Sequence, residues 1–148
     1  MRRNLRPEDL GDLLIQAKVA ILATHSRDGA TMLSPVWQEW SEGGFTFVTF
    51  SGDAKLRHIE RDPQVSIVVA EDSPPYRGIE VRGPAQIVDR DGPETLRRLA
   101  SRYLAGRDVN AYVGKIGKWM EDVGHTGIVV LRVEPGRLRV WDYADETW

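Results

Sequence analysis

The residues around the turn Ser51-Gly52-Asp53 have the types and the spacing that an anion-binding site needs. Asp53 is a favourable N-cap for a short helix, and Lys55 and Arg57 follow near the start of that helix. A helix start leaves backbone N–H groups without partners and carries a partial positive charge, so anions bind well there. The sequence therefore predicts a phosphate pocket at this point. The alternative is a solvated helix whose basic side chains only keep the protein soluble.

Side chains that could catalyse a reaction directly are scattered along the sequence. His25, His58 and His125 show no His-x-His or His-x-x-x-His spacing, and the chain has no cysteine, so neither a dedicated metal site nor thiol chemistry is expected. Ser34 and Ser51 lie outside any Gly-x-Ser-x-Gly motif. No residue stands out as a nucleophile or a general base. If the chain is an enzyme, we expect a bound cofactor to supply the chemistry.

A strand and a helix must position the predicted anion site. Residues 45–50 alternate aromatic residues with small, mostly β-branched ones, which is typical of a β-strand. In the helix that follows, Leu56 and Ile59 would face the core and the basic side chains would stay at the surface. Asp62-Pro63 ends that helix.

Upstream of this site, the sequence predicts a helix and a hairpin. Pro7 opens the helix in the favoured way. The residues that would form its amphipathic stripe are Leu10, Leu13, Leu14 and Ala17. A strand over 19–24 and its partner over 30–40 flank Asp28-Gly29, which is the strongest hairpin signal of the chain. Because Pro35 cannot donate a ladder hydrogen bond, the partner must be an edge strand or bulge there.

Downstream of the site, further strands are predicted over 65–70, 78–89, 128–133 and 138–141. The residues of the strand over 78–89 that are expected to share one face are Ile79, Val81, Gly83, Ala85 and Ile87. A helix begins at Asp91-Gly92-Pro93 and a weaker one covers 109–119.

Short strands joined mostly by hairpins predict the fold class. Six or seven such strands with a few covering helices make a mainly β (α+β) fold, an antiparallel barrel. The chain lacks both a βαβ alternation and a Gly-x-Gly-x-x-Gly motif, so a Rossmann fold is not expected.

Length and composition place the chain among ordinary globular proteins. It has 148 residues, 41% of them hydrophobic, and a formal net charge of −2, so we expect one domain over 1–148 and no nucleic-acid partner. The apolar stretches are far shorter than a membrane span and no signal peptide is recognisable, so we expect no membrane partner and a cytoplasmic location. Five tryptophans are many for this length and favour aromatic surfaces at an interface or against a ligand.

Three segments of the sequence resemble the pyridoxamine 5'-phosphate oxidase-like split barrels. Ala20-Ile21-Leu22-Ala23-Thr24, Asp28-Gly29 and Ser34-Pro35-Val36-Trp37 are similar to the first hairpin of that family. Residues 54–65 are similar to its signature helix, Lys-x-Arg-Asn followed by Arg-Asp-Pro, with His58 where the family often has asparagine. Pro74-Pro75-Tyr76-Arg77, followed by residues 80–83, completes a match that covers 20–88 in register and 133–142 more loosely.

Within that superfamily the chain looks most like the actinobacterial flavin/deazaflavin oxidoreductases. These are homodimers of split β-barrels that bind coenzyme F420, or in other branches FMN, between the subunits. The resemblance implies that Ser34, Pro35 and Val36 lie against the three-ring system of the cofactor. It also implies that Thr49, Phe50, Ser51, Lys55 and Arg57 hold the phosphate or acidic tail, while His58 in place of asparagine affects one hydrogen bond of the site.

The aromatic and basic residues outside these segments have more than one possible place. Tyr76 and Arg77 would come from the partner subunit or cover the ring, and the alternative is a loop packed on its own barrel. One of Trp37 and Trp40 would line the pocket while the other packs in the core or at the dimer interface. The tryptophans that are assigned to the core or an interface are Trp119, Trp141 and Trp148.

The resemblance implies hydride transfer from reduced F420 to an unsaturated or carbonyl-containing small molecule. One alternative keeps the fold but uses FMN, as an oxidase or a flavin reductase. Pyridoxamine-phosphate oxidase itself is less favoured, because the tail lacks that enzyme's C-terminal substrate-binding motif. A second alternative is a protein that binds flavin, deazaflavin or haem without turnover.

Overall fold

Antiparallel strands dominate the computed structural model of the chain, which describes residues 2–147. The strands in that range are β1 (Ala20–His25), β2 (Thr31–Val36), β3 (Glu39–Ser41), β4 (Gly44–Phe50), β5 (Gln64–Ala70), β6 (Arg77–Val88), β7 (Ile128–Val133) and β8 (Arg137–Asp142). The helices are α1 (Ala54–Arg61), α2 (Gly92–Tyr103) and α3 (Val109–Val123). The strand order is β2-β1-β5-β6-β7-β4-β3, and β8 pairs with β6. The sheet curls into a half-barrel, which confirms the predicted mainly β, antiparallel fold class.

The strand that was predicted over 30–40 is divided into β2 and β3. The division falls at Trp37 and Gln38, where the backbone N–H of Gln38 donates to the hydroxyl of Tyr103 over 3.0 Å instead of joining a ladder. β2 lies at the edge of the sheet, opposite β1, with Pro35 facing Ile21. Of the two alternatives predicted for Pro35, an edge strand or a bulge, the structure shows the edge strand.

The helix predicted from Pro7 is wrong beyond its first turn. Pro7–Leu10 forms one 3₁₀ turn, and Gly11 then takes φ +61° and ψ −123°, which no α-helix contains. Leu13 and Leu14 are nevertheless buried with Leu10, while Ala17 is exposed. The apolar pattern thus predicted burial correctly, although the backbone between these residues is irregular.

β6 crosses from one half of the sheet to the other. Up to Pro84 it pairs with β5, and from Ala85 onward it pairs with β7. Ile79 and Val81, which were predicted to share a face, are both fully buried. Ile87, predicted on the same face, is 55% exposed and lies one residue from the end of the strand.

The core fills the concave side of the curled sheet. Its largest fully buried side chains include Phe45, Phe47, Leu22, Ile67, Ile79 and Leu131. Leu56 and Ile59 of α1 are also buried, as the sequence predicted. In the described residues, no helix combines the length and the apolar character that a membrane-crossing helix needs.

α2 and α3 cover one side of the sheet in different ways. α2 begins at the predicted position, and the side chain of Asp91 caps it by accepting a hydrogen bond from the backbone N–H of Glu94 over 2.8 Å. α3 extends further than predicted and ends at Gly124 in the left-handed conformation. α3 has no buried residue, so it lies on the molecule as a surface helix.

Candidate functional site

A groove of about 230 Å³ lies where β2 ends, β4 ends and α1 begins. α2 and α3 complete its walls with Leu96 and Tyr112. The predicted site residues that line it are Pro35, Val36, Trp37, Phe50 and Lys55. Residues from two distant parts of the sequence thus meet in one groove.

Trp37 forms the aromatic wall of the groove. Its indole stacks on the ring of Tyr103 with centroids 5.1 Å apart and planes 8° apart. The ring of Tyr112 lies 5.3 Å from it at an angle of 40°. Trp40 instead packs edge-to-face on the buried ring of Phe45, at 4.8 Å. Trp37 is therefore the tryptophan that lines the pocket, and Trp40 belongs to the core.

The start of α1 provides the polar end of the groove. Asp53 is the N-cap residue, but its side chain accepts no hydrogen bond from the helix. Its Oδ2 atom turns back to β4, where it accepts from the hydroxyl of Thr49 at 2.7 Å and from the backbone N–H of Phe50 at 3.0 Å. The first N–H groups of α1 are therefore left without a side-chain cap, which favours an anion at this point.

Lys55 and Arg57 lie next to these N–H groups. Nζ of Lys55 lies 3.1 Å from Oδ2 of Asp53, and the guanidinium of Arg57 donates to the carbonyl of Gly52 over 2.8 Å. Burial raises the pKa of Asp53, but hydrogen bonds from Phe50, Thr49 and Lys55 outweigh it and hold that pKa below its usual value. The carboxylate therefore stays ionised, and the two cations outnumber it.

Thr49 and Ser51 shape the turn before α1 through hydrogen bonds of their hydroxyls. Thr49 is fully buried, and its hydroxyl donates a hydrogen bond to the carboxylate of Asp53. The hydroxyl of Ser51 accepts hydrogen bonds from the backbone N–H groups of Thr126 and Gly127, at 2.8 and 3.2 Å. In this structure both hydroxyls position the backbone of the turn.

Within one chain, four other predicted site residues lie outside the lining of the groove. Ser34 precedes the lining residues on β2. Nδ1 of His58 lies 3.0 Å from the hydroxyl of Thr24 on β1. The guanidinium of Arg77 binds the carbonyl of Leu10 and the carboxylates of Asp12 and Glu71, at 2.7 to 3.0 Å. Tyr76, beside Arg77, is not among the lining residues of the groove and is 37% exposed.

The remaining tryptophans are not among the residues that line the groove. Trp119 of α3 packs on Phe50 at 5.1 Å and is 40% exposed. Trp141 of β8 is half-buried, with the guanidinium of Arg139 5.2 Å above its ring. The prediction for Trp148 lies outside the described residues.

Sequence reasoning missed four residues of the groove lining, namely Val48, Asp53, Leu96 and Tyr112. Val48 was detectable, because residues two apart on a strand share a face and Phe50 was already assigned to the site. Asp53 was assigned only as a helix cap. Leu96 and Tyr112 come from helices whose packing on the site the sequence does not reveal. Among the described residues, His, Asp and Glu side chains nowhere gather in a group of three that could hold a metal ion.

Comparison with known proteins agrees with this fold. A family model described as pyridoxamine 5'-phosphate oxidase matches residues 7–142. The structure is similar to that of the conserved hypothetical protein Rv2991 from Mycobacterium tuberculosis, with 26% identity, a TM-score of 0.70 and coverage of 97% of this chain and 89% of that one. No curated protein sequence is similar enough to count as a relative.

Two further solved structures carry functional names. An F420 reductase is 25% identical, with a TM-score of 0.68 and coverage of 86% of this chain and 94% of that one. HutZ, a haem storage protein from Vibrio cholerae, is 18% identical, with a TM-score of 0.65 and coverage of 90% and 93%. At that identity, the likeness to HutZ concerns the fold alone.

Proposed function

Because the chain belongs to the pyridoxamine 5'-phosphate oxidase family, we propose that it is an oxidoreductase that binds coenzyme F420 in the groove. When bound, the reduced deazaflavin supplies a hydride, which carries two electrons, to an unsaturated or carbonyl carbon of a small molecule. The likeness to an F420 reductase supports this choice of cofactor. FMN is the alternative, since it presents a three-ring system and a phosphate of similar shape.

The observation that carries the proposal is the meeting of a flat apolar wall and an anion-binding helix start in one groove. Trp37, Phe50 and Pro35 offer apolar surface to a ring system. At the other end, the uncapped N–H groups of α1 and the side chain of Lys55 suit a phosphate. The residues present therefore fit the two chemically distinct parts of such a cofactor.

The roles of the chain's own residues follow from this fit. Lys55 and Arg57 bind and anchor the anionic part. The aromatic wall orients the ring and keeps water from its face, which favours transfer between two closely held molecules. No side chain of the groove has to act as a nucleophile.

We further propose that the protein is a homodimer whose second copy completes the groove. One chain encloses only about 230 Å³, below the range of roughly 300–1,000 Å³ that is usual for sites of drug-sized ligands. The outer face of β1 and β2 carries exposed apolar side chains, with Ile21 39% and Leu33 66% exposed. Pro35, which lines the groove, lies opposite Ile21 on the same face. A second copy seated on this face would border the groove.

The activity is tested by mixing the purified protein with reduced F420 and a panel of quinones and enones. We expect acceptor-dependent return of the absorbance of oxidised F420. If the protein neither binds nor oxidises reduced F420 with any acceptor, the proposal fails. A preparation that is yellow from bound flavin would favour the FMN alternative, and tight binding without turnover would favour a storage or sequestering role.

A further inference from the structure

Three arginines stand on the outer face of β6 and β8, the face that is turned away from the core. Because Val81 between them is fully buried, Glu80 and Arg82 of β6 point outward. β8 pairs with β6 so that Arg137 lies opposite Arg82 and Arg139 lies opposite Glu80. We call this cluster the arginine surface, and its members are Glu80, Arg82, Arg137 and Arg139.

The charges of the arginine surface do not balance. Glu80 accepts hydrogen bonds from Arg82 over 2.5 Å and from Arg139 over 2.8 Å, whereas Arg137 has no ion-pair or hydrogen-bond partner among the side chains of residues 2–147. Arg137 faces Arg82, and like charges directly opposite each other destabilise a sheet. Three guanidinium groups thus stand against one carboxylate, in a chain whose formal net charge is −2. An anion bound between Arg82 and Arg137 would relieve their repulsion.

Glu80 holds two of the guanidinium groups in place. Burial raises the pKa of its carboxyl group, but hydrogen bonds from Arg82 and Arg139 outweigh this effect and hold the pKa below its usual range. The carboxylate is therefore ionised at neutral pH and orients both side chains across the two strands. An arginine that is already oriented loses less conformational freedom when it binds an anion.

Three adjoining hollows follow β8 from a basic end to an aromatic end. Arg82 and Arg137 line a hollow of about 490 Å³ and, together with Arg139, a second one of about 270 Å³. Arg139 also lines a third hollow, of about 290 Å³, with Trp141 and Tyr143. Because neighbouring hollows share arginines, a single elongated ligand can contact both ends.

The indole of Trp141 lies across β6 at a glycine. Gly78 is the residue opposite Trp141, and a Cβ atom at Gly78 would overlap Cζ2 of the indole. The missing side chain therefore makes room for the ring on the strand. The guanidinium of Arg139 lies 5.2 Å from the centre of that ring. Aromatic and guanidinium planes of this kind are surfaces on which nucleobases stack.

We propose that this surface binds a nucleoside triphosphate, with its phosphates between the arginines and its base at Trp141. Guanidinium groups bind phosphate oxygens in pairs and suit them better than any other side chain. Residues two apart on a strand are separated by about 7 Å, so the step from Arg137 to Arg139 suits a chain of linked phosphates rather than a single one.

This site goes beyond the proposed function. None of the residues of the arginine surface lines the groove. β5 separates β6 from β1 in the strand order, so the arginine surface does not include the β1–β2 face of the proposed homodimer either.

Equilibrium dialysis of the purified protein against ATP, inorganic tripolyphosphate and adenosine, without divalent cations, tests the proposal. We expect ATP to bind about fivefold or more tightly than tripolyphosphate, because only ATP adds stacking at Trp141. Arg82→Gln and Arg137→Gln should each weaken the binding of ATP and of tripolyphosphate about five- to twentyfold. Arg137 has no side-chain partner among residues 2–147, so its substitution should leave the fold intact.

Two control variants separate the arginine surface from other cations. Arg107→Gln makes the same change of charge at an exposed arginine between α2 and α3, and it should leave ATP affinity unchanged. Lys55→Ala combined with Arg57→Ala removes the cations at the start of α1 and should also leave ATP affinity unchanged. The dialysis contains neither F420 nor FMN, so failure of the proposed function and failure of this site are distinguishable.

Four outcomes would overturn the inference. ATP could fail to bind wild type, or it could bind Arg82→Gln and Arg137→Gln as tightly as wild type. Arg107→Gln could weaken ATP binding as much as they do, which would mean unspecific attraction of charge. Loss of ATP binding in the Lys55 and Arg57 double variant alone would place the nucleotide in the groove. Tripolyphosphate that binds as tightly as ATP would contradict the role of Trp141.

Discussion

The carboxylate of Asp53 lies 3.1 Å from Nζ of Lys55 at the first turn of α1, so the ammonium of the groove already has an anionic partner within its own chain. The same carboxylate is held by Thr49 and by the backbone N–H of Phe50. A phosphate at this point must share Lys55 with Asp53, and it gains Arg57 and the uncapped N–H groups of α1 in addition. The affinity of the site for an anion depends on this balance.

Removal of both cations should weaken cofactor binding. We expect Lys55→Ala combined with Arg57→Ala to cost about 2–4 kcal/mol of binding free energy, on the usual worth of charge-assisted hydrogen bonds. Fluorescence titration with F420 measures the effect. Arg61→Ala is the control on the same helix, since that guanidinium donates to the carbonyl of His25 instead. Equal affinities of the double variant and wild type would mean that α1 is only a solvated helix.

Asp53→Asn should lower stability in a pH-dependent way. The folded-state pKa of Asp53 lies below the ordinary value of 3.8, so its ionised form stabilises the fold above about pH 4 and this contribution is lost as the pH falls through the lower, folded-state pKa. We expect the free energy of unfolding of the variant to be about 1–2 kcal/mol lower than that of wild type at neutral pH. Urea unfolding at several pH values checks this. A difference that stays constant down to pH 2 would contradict the ionic role of Asp53.

Leu33→Asp should dissociate the proposed homodimer. A carboxylate on this 66% exposed leucine would be buried in the interface without a partner, which is costly. Analytical ultracentrifugation should give a dimer for wild type and a monomer for the variant. Ile87→Asp, at an exposed isoleucine outside the β1–β2 face, should remain dimeric. A dimeric Leu33→Asp variant would place the interface elsewhere.

Gly114→Ala and Gly117→Ala should stabilise α3. A Cβ atom at either glycine would meet nothing within 4 Å, so packing does not require a glycine there. Alanine in place of glycine inside a helix adds about 0.5–1 kcal/mol per site. Thermal unfolding should show the gain. Gly52→Ala is the opposite case, because its Cβ would lie 2.7 Å from Nε2 of His125, and it should destabilise the turn before α1.

Those residues of the groove that lie in segments with a clear local pattern could be predicted from the sequence. The alternation that ends at Phe50 and the cap at Asp53 fix where β4 stops and α1 starts, because both signals lie within a few residues. The hairpin at Asp28-Gly29 sets the register that brings Pro35 to the groove. In these segments local chemistry and tertiary packing favour the same structure.

The rest depended on distances that a sequence does not contain. Leu10 to Ala17 show a helical stripe, yet Gly11 adopts a positive φ and the leucines are buried without a helix. Tyr112 of α3 contacts Trp37, although the two residues are 75 positions apart in the sequence. The sequence suggested only that Asp53 caps the helix. That its carboxylate pairs with Lys55, and so competes with a phosphate for it, is seen only in the structure.

A titration of the purified protein with F420 and FMN in parallel, followed by tryptophan fluorescence, tests the assignment of the groove to a deazaflavin most directly. Trp37 lines the groove, so a ring bound there should quench its emission. We expect saturable quenching by F420 at micromolar or lower concentration and weaker binding of FMN. Saturation by FMN with no response to F420 would contradict the deazaflavin assignment, and no response to either would contradict the assignment of the groove as a cofactor site.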